Sequence, residues 1–242
     1  MVVTDSASRR NKVLKLIIDT YIGTATPVSS DYICQKCALG LSPATIRNIM
    51  ADLEKMGYLY HPHTSAGRVP TDSGYRFYVD ELMQPQELNT HEQAAIKTEF
   101  DNTLRYVESL NEALSRILAL MSGQLAVSFS EGKLRFIGVT NILGQPEFSD
   151  VNCCKSLLRA LEDEEEFVDI LSEDLLRENV CIHIGTENKY RELHHCSIVV
   201  SPYKTKNKSA GTVAVVGPTR LAYAKLVKRI EYLSNLAEKI LL

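Results

Sequence analysis

Apolar residues recur along the first eighty positions with the spacing of short helices. Val13, Leu14, Ile17, Ile18 and Tyr21 line one face of a helix over Ser8–Ile22, because positions three and four apart share a helical face. Gly23 stops it, and Pro27 holds Thr26 in an extended link. Ser29 or Ser30 can cap a short second helix running to about Ala38. After the turn Leu39-Gly40-Leu41, Ser42-Pro43 is a strong start signal. A serine oxygen accepts from an otherwise unpaired backbone N–H, and proline suits the first helical position. The helix that follows buries Ile46, Ile49 or Met50, Leu53 and Met56, and Gly57 ends it. Tyr58-Leu59-Tyr60, a polar loop through Gly67 and Arg68, and Val69-Pro70 then predict a β-hairpin. Thr71 caps a further helix that packs through Tyr75, Tyr78, Val79 and Leu82.

The remaining face of the helix begun at Ser42 carries Ala44, Thr45, Arg47, Asn48 and Ala51. Small residues let a helix sink into a groove, and Thr, Arg and Asn reach base edges or phosphates. The second helix of a helix-turn-helix is used in this way. The hairpin loop offers His61, His63, Thr64, Ser65 and Arg68 as donors suited to phosphate or minor-groove contact. The head thus reads as a winged helix-turn-helix with Ser42, Ala44, Thr45, Arg47, Asn48 and the hairpin donors against double-stranded DNA. The competing reading is a helical protein-docking module with a solvated loop.

Beyond the head, Leu104, Val107, Asn111, Leu114, Leu118 and Met121 step alternately by three and four within a helical segment over Glu92–Met121. That is an a/d pattern with an asparagine at an a position, which favours a defined dimer register. Leu110 and Ile117 widen the stripe, as in a helix packed on a globular body. A dimer-forming helix and a core helix remain equal alternatives. LAVSF and LRFIGVTN read as strands, and helical segments follow around Asp150–Leu161 and Glu165–Leu176. The acidic run Glu162-Asp163-Glu164-Glu165-Glu166 reads as a solvated connection between them. VCIHIG, HCSIVVSPY and GTVAVVG read as three more strands, and Arg220–Leu242 as a terminal amphipathic helix. Strands bracketed by helices indicate an α+β domain.

Charge modifies this picture only slightly. Residues 1–80 hold nine Lys/Arg against seven Asp/Glu, while the chain as a whole carries a net charge of −3. A mildly basic head on an acidic body is compatible with nucleic-acid binding by the head. No apolar run reaches 18 residues and the N-terminus has no apolar export segment, so the expectation is a cytoplasmic chain without a membrane partner. Six cysteines in apolar segments suit that compartment. Cys34 and Cys37 form a CxxC, but no second pair follows at zinc-finger spacing, and a core reading is favoured. The same holds for Cys153, Cys154, Cys181 and Cys196 with His183, His194 and His195, which could otherwise serve a metal or ligand sensor. Gly217-Pro218-Thr219-Arg220 lacks the GK[ST] of a P-loop and reads as a capped turn. No catalytic fingerprint is present, so an enzyme such as a metal-dependent hydrolase is disfavoured. No cofactor is implied.

The stretch SPATIRNIMADLEKMGYLYHPHTSAGRVPTDSGYRFYVDEL closely resembles the N-terminal domain of the HrcA family of bacterial heat-inducible transcription repressors. GVTNILGQPEF at 138–148, IHIGTEN at 182–188, HCSIVVSPY at 195–203 and VGPTRLAY at 216–223 are similar to the C-terminal part of the same family. The resemblance implies a homodimer on a CIRCE-type inverted-repeat operator ahead of chaperone operons such as groE and dnaK. It also implies dependence on the chaperonin GroEL, and a GAF-like body carrying an inserted dimerising domain. Here only LAVSFSEGKLRFI stands where family members have that insertion. The expected fold is therefore α+β. It comprises a winged helix-turn-helix over residues 1–84, a helical linker over 85–122 and a reduced GAF-like α+β domain over 123–242. Leu104, Val107, Asn111, Leu114 and Leu118 are the candidate dimerisation residues.

Overall fold

A computed structural model describes residues 2–36, 40–63, 67–204 and 210–240. The chain divides into two compact units, Met1–Gln84 and Pro85–Leu242. Residues 85–122, expected as a linker, belong to the second unit. Among the described residues no helix is long and apolar enough to cross a membrane.

The first unit holds α1 (Val2–Thr24), α2 (Ser30–Lys36), α3 (Pro43–Lys55), the hairpin strands β1 (Leu59–Tyr60) and β2 (Val69–Pro70), and α4 (Asp72–Phe77). The last helix continues as a wider π-type turn over Tyr78–Leu82. Val13, Leu14, Ile17 and Ile18 of α1, Ile33 of α2, and Ile46, Met50 and Leu53 of α3 form the core with Leu59, Val69, Tyr75 and Tyr78. Each of the aliphatic side chains among them contributes roughly 1.5–3 kcal/mol through burial. Met56, expected in the buried stripe, is 48% exposed. It is the C-cap of α3, where the helix has ended and its periodicity no longer sets direction.

Two glycines close this unit because backbone crosses them. A Cβ on Gly74 would strike the Tyr58 carbonyl, and one on Gly67 would strike the Val28 backbone. Thr71 secures the first crossing: its Oγ1 accepts from the Gly74 N–H at 3.0 Å and donates to the Gly57 carbonyl at 2.5 Å. Tyr78 donates from its hydroxyl to Asp19 on α1 at 2.7 Å. Burial, then the hydrogen bond to Asp19, raises its pKa.

The second unit is a five-stranded antiparallel sheet with helices on both faces. Its elements are α5 (Thr90–Thr103), α6 (Leu110–Ser122), β3 (Leu125–Ser130), β4 (Lys133–Ile137), α7 (Val139–Leu143), α8 (Val151–Asp163), α9 (Glu165–Asp174), β5 (Cys181–Ile184), β6 (Cys196–Lys204), β7 (Ala210–Pro218) and α10 (Tyr223–Ile240). The strand order is β4-β3-β7-β6-β5. Alternation along the strands divides the core. Leu125, Val127, Ile198, Val200, Ala214 and Val216 join Leu157 of α8 and Phe167 and Leu171 of α9. On the other face, small hydroxyls seam the sheet to its helices: Ser128 accepts from Ser115 of α6 at 2.7 Å, and Ser201 accepts from Ser234 of α10 at 2.9 Å. LAVSFSEGKLRFI is the β3–β4 hairpin, closed at Glu131-Gly132, both with positive φ.

Three expectations are corrected here. The continuous helix over Glu92–Met121 is two helices, because Leu104 caps α5 and Ser109 starts α6 by accepting from the Glu112 N–H. Leu104 and Val107 therefore lie at and beyond a helix end, while Leu114 and Leu118 are fully buried. Asn111 is used internally, its Oδ1 accepting from the Tyr203 hydroxyl at 2.6 Å. The five positions do not form one outward seam. Next, the VTN of LRFIGVTN is helical, because Gly138 at φ 89° turns the chain into α7.

The acidic run is the third case. Glu162 to Glu165 are exposed, with Glu164 at φ 53° breaking the helix, but Glu166 turns toward Glu192. Burial, then the charge and hydrogen bond of Glu192, pushes the Glu166 carboxyl up from 4.5 to about 7. Between those values the folded state holds a proton that the unfolded chain has lost, so this group makes stability fall as pH rises through that window. Glu166→Gln is expected to raise the melting temperature at pH 8 and to change it little at pH 4.5. An equal shift at both pH values would contradict this.

Candidate nucleic-acid interface

The outward face of α3 is set by its N-terminus. Ser42 accepts from the Thr45 N–H at 3.1 Å and lies 2.9 Å, oxygen to oxygen, from the Thr45 hydroxyl; Pro43 takes the first helical position. Such a cap is worth about 1 kcal/mol. With Ile46, Met50 and Leu53 turned inward, the 3.6-residue period leaves Ala44, Thr45, Arg47 and Asn48 exposed together with Ser42. The five sequence-chosen positions therefore share one open surface at the start of the helix. It is free of large apolar side chains and carries hydroxyl, guanidinium and amide groups.

The hairpin is only partly as expected. β1 and β2 pair through Leu59 with Pro70 and Tyr60 with Val69. His63 is exposed and His61 half-buried. Thr64 and Ser65 lie outside the described residues, as does Cys37 of the CxxC. Arg68 is held within the unit: its guanidinium Nη2 lies 2.9 Å from Glu54 Oε2 and its side chain is only 18% exposed. The reason is tertiary. Arg68 and Val28 exchange both backbone hydrogen bonds, at 2.8 and 2.9 Å, which anchors this part of the loop to the link before α2. Sequence reasoning missed Glu54, which no local signal marks. It also missed Tyr60, 46% exposed on the outer side of β1, which the alternation in Tyr-Leu-Tyr announces.

In the second unit two histidines of the Cys/His set meet partners within the fold. His183 Nε2 is 2.7 Å from Asp174 Oδ2, and His194 Nε2 is 3.1 Å from the Asn188 carbonyl. The Cys181 thiol is pushed up to about 11 by burial and the Asp174 charge, and Cys196 is raised by burial. Among the described residues no three His, Cys, Asp or Glu side chains gather as a metal ion would need. The two N–H groups of the Asn188 side chain are shared among the carbonyls of Gly185, Leu193 and Cys196. Arg220 donates to Glu147 and Gln145, so the VGPTR turn is an internal tie.

The first unit thus sets an exposed helix face of small and hydrogen-bonding residues beside a hairpin, and the second unit is α+β. Residues 78–227 match the family model of the HrcA protein C-terminal domain. The heat-inducible transcription repressor HrcA of Pelotomaculum thermopropionicum is 30% identical over 334 aligned positions, covering 96% of this chain and 96% of that protein. The protein of the same name from Desulforamulus reducens is 32% identical over 328, covering 94% of each. The chain belongs to the HrcA family. Since it has 242 residues, those relatives carry a long stretch that it lacks. A crystal structure of a hypothetical protein shares the fold, with a TM-score of 0.72, 20% identity, and coverage of 96% of this chain and 98% of that one.

Proposed function

We propose that this chain is a repressor of heat-shock genes whose residues 1–84 form a winged helix-turn-helix that reads double-stranded DNA. One observation carries the reading: α3 buries Ile46, Met50 and Leu53 and leaves Ala44, Thr45, Arg47 and Asn48 exposed beside its capped start. In this reading Thr45, Arg47 and Asn48 enter the major groove, while Tyr60, His61 and His63 lie along the flanking backbone. Two heads on a homodimer meet the two halves of an inverted-repeat operator of the CIRCE type, ahead of groE- and dnaK-type operons. The second unit is a reduced GAF-like domain, and the protein acts in the bacterial cytoplasm with GroEL as its chaperone partner. Leu114 and Leu118 are withdrawn from the dimer face by their burial in the unit's own core.

Selection of bound duplexes from a random pool tests this. Recovery of an inverted repeat is the expected result, and its half-site spacing reports the distance between heads. Recovery of unrelated sequences, or of single half-sites bound as tightly as pairs, would sink the dimeric repressor.

A further inference from the structure

The hairpin is fastened at one point to two segments remote in sequence. Gly67 lies so close to Val28 that any side chain there would strike its backbone. At the next residue, Arg68 and Val28 exchange hydrogen bonds through both backbone groups. The Arg68 guanidinium then reaches Glu54, with an N–O distance of 2.9 Å and side-chain exposures of 18% and 37%. Glu54 lies in the last turn of α3, two turns beyond the exposed Ala44–Asn48 face. The link before α2, the recognition helix and the hairpin are thereby held in one geometry.

From this we infer that Arg68 and Glu54 are positioning residues, a clamp that fixes the hairpin against α3 so that both meet one duplex in register. The inference rests on the DNA-reading function proposed above. It opposes what charge alone would give. A carboxylate on a DNA-binding unit repels phosphate, so its removal should strengthen binding to every duplex. A clamp gives the reverse on the specific site, since base contacts depend on alignment and phosphate contacts tolerate its loss.

The test is a double-mutant cycle on the full chain, comparing wild type, Glu54→Gln, Arg68→Met and the double variant. Each is titrated against an inverted-repeat duplex from the selection and a scrambled duplex of equal length. The ratio of the two affinities within one preparation cancels any difference in folded fraction. Each single variant is expected to lower that ratio about tenfold, with the double variant losing no more than either. Glu54→Gln should bind the scrambled duplex as well as wild type or better. If Glu54→Gln instead tightens binding to both duplexes, the freed Arg68 is a phosphate contact and the clamp is overturned. Losses that multiply in the double variant overturn it as well. A wild-type chain with no preference for the repeat overturns the DNA-reading function itself, before any variant is compared.

Discussion

Arg47→Ala is expected to weaken operator binding by on the order of 1–3 kcal/mol, the value of one good bidentate contact to a guanine edge. Arg47 is exposed in the second turn of α3, and Thr45 and Asn48 are exposed as well. Alanine is at least as good a helix former as arginine, and the lost side chain packs in no core. The thermal stability of the first unit should therefore be unchanged. Titration against the operator and a scrambled duplex separates two origins of the loss. A deficit confined to the operator makes Arg47 a base reader, whereas an equal deficit on both makes it a phosphate contact. No deficit on either would remove it from the interface.

The second large effect concerns the helix that sequence spacing offered as a dimer seam. Leu118 is fully buried where α6 lies on the sheet. Leu118→Ala removes the branched end of the side chain, a methine and two methyl groups, and leaves a cavity, costing about 2–5 kcal/mol of folding stability. That loss should appear as a drop in melting temperature of the same size at every protein concentration, because a core contact does not depend on association. A dimer-seam leucine would behave differently: truncating it would weaken self-association and make melting more concentration-dependent. Sedimentation beside thermal melts at two concentrations decides between them. Unchanged melting with dissociation would contradict the placement of Leu118 in the core.

The contrast between these residues shows where sequence is informative. The α3 face was legible because its signals are local: Ser42-Pro43 fixes the start, and Ile46, Met50 and Leu53 fix the phase. Once the phase is known, Ala44, Thr45, Arg47 and Asn48 can only face outward. The α5–α6 segment misled because the apolar spacing of Leu104, Val107, Asn111 and Leu114 runs through a break without interruption. Only Ser109 with Glu112, a serine followed three residues later by an acid, marks the new helix start. Met56 keeps the period of α3 but sits where the helix has ended. Gly138 looks like a residue within a strand, and its positive φ is what starts α7 instead.

The placement of Arg68 was not legible, for a different reason. A loop arginine beside histidines has the composition of a phosphate contact, and nothing within ten residues says otherwise. Its direction is decided by Val28 and Glu54, forty residues before it and fourteen before it, through contacts that exist only in the folded head. Gly67 was recognisable as a turn residue, yet its reason is the Val28 backbone against it. Composition marked the polar positions of the loop, and tertiary contact drew Arg68 among them onto Val28 and Glu54.

The central claim is that the first unit reads duplex DNA by sequence, and an equilibrium titration of the full chain tests it most directly. An inverted-repeat duplex of the CIRCE type and a scrambled duplex of equal length and composition would be compared at one stated salt concentration near 0.15 M. The account predicts binding to the repeat at least about a thousandfold tighter than to the scramble. Equal affinity for the two, falling together as salt is raised, would show charge attraction without base reading and would contradict it.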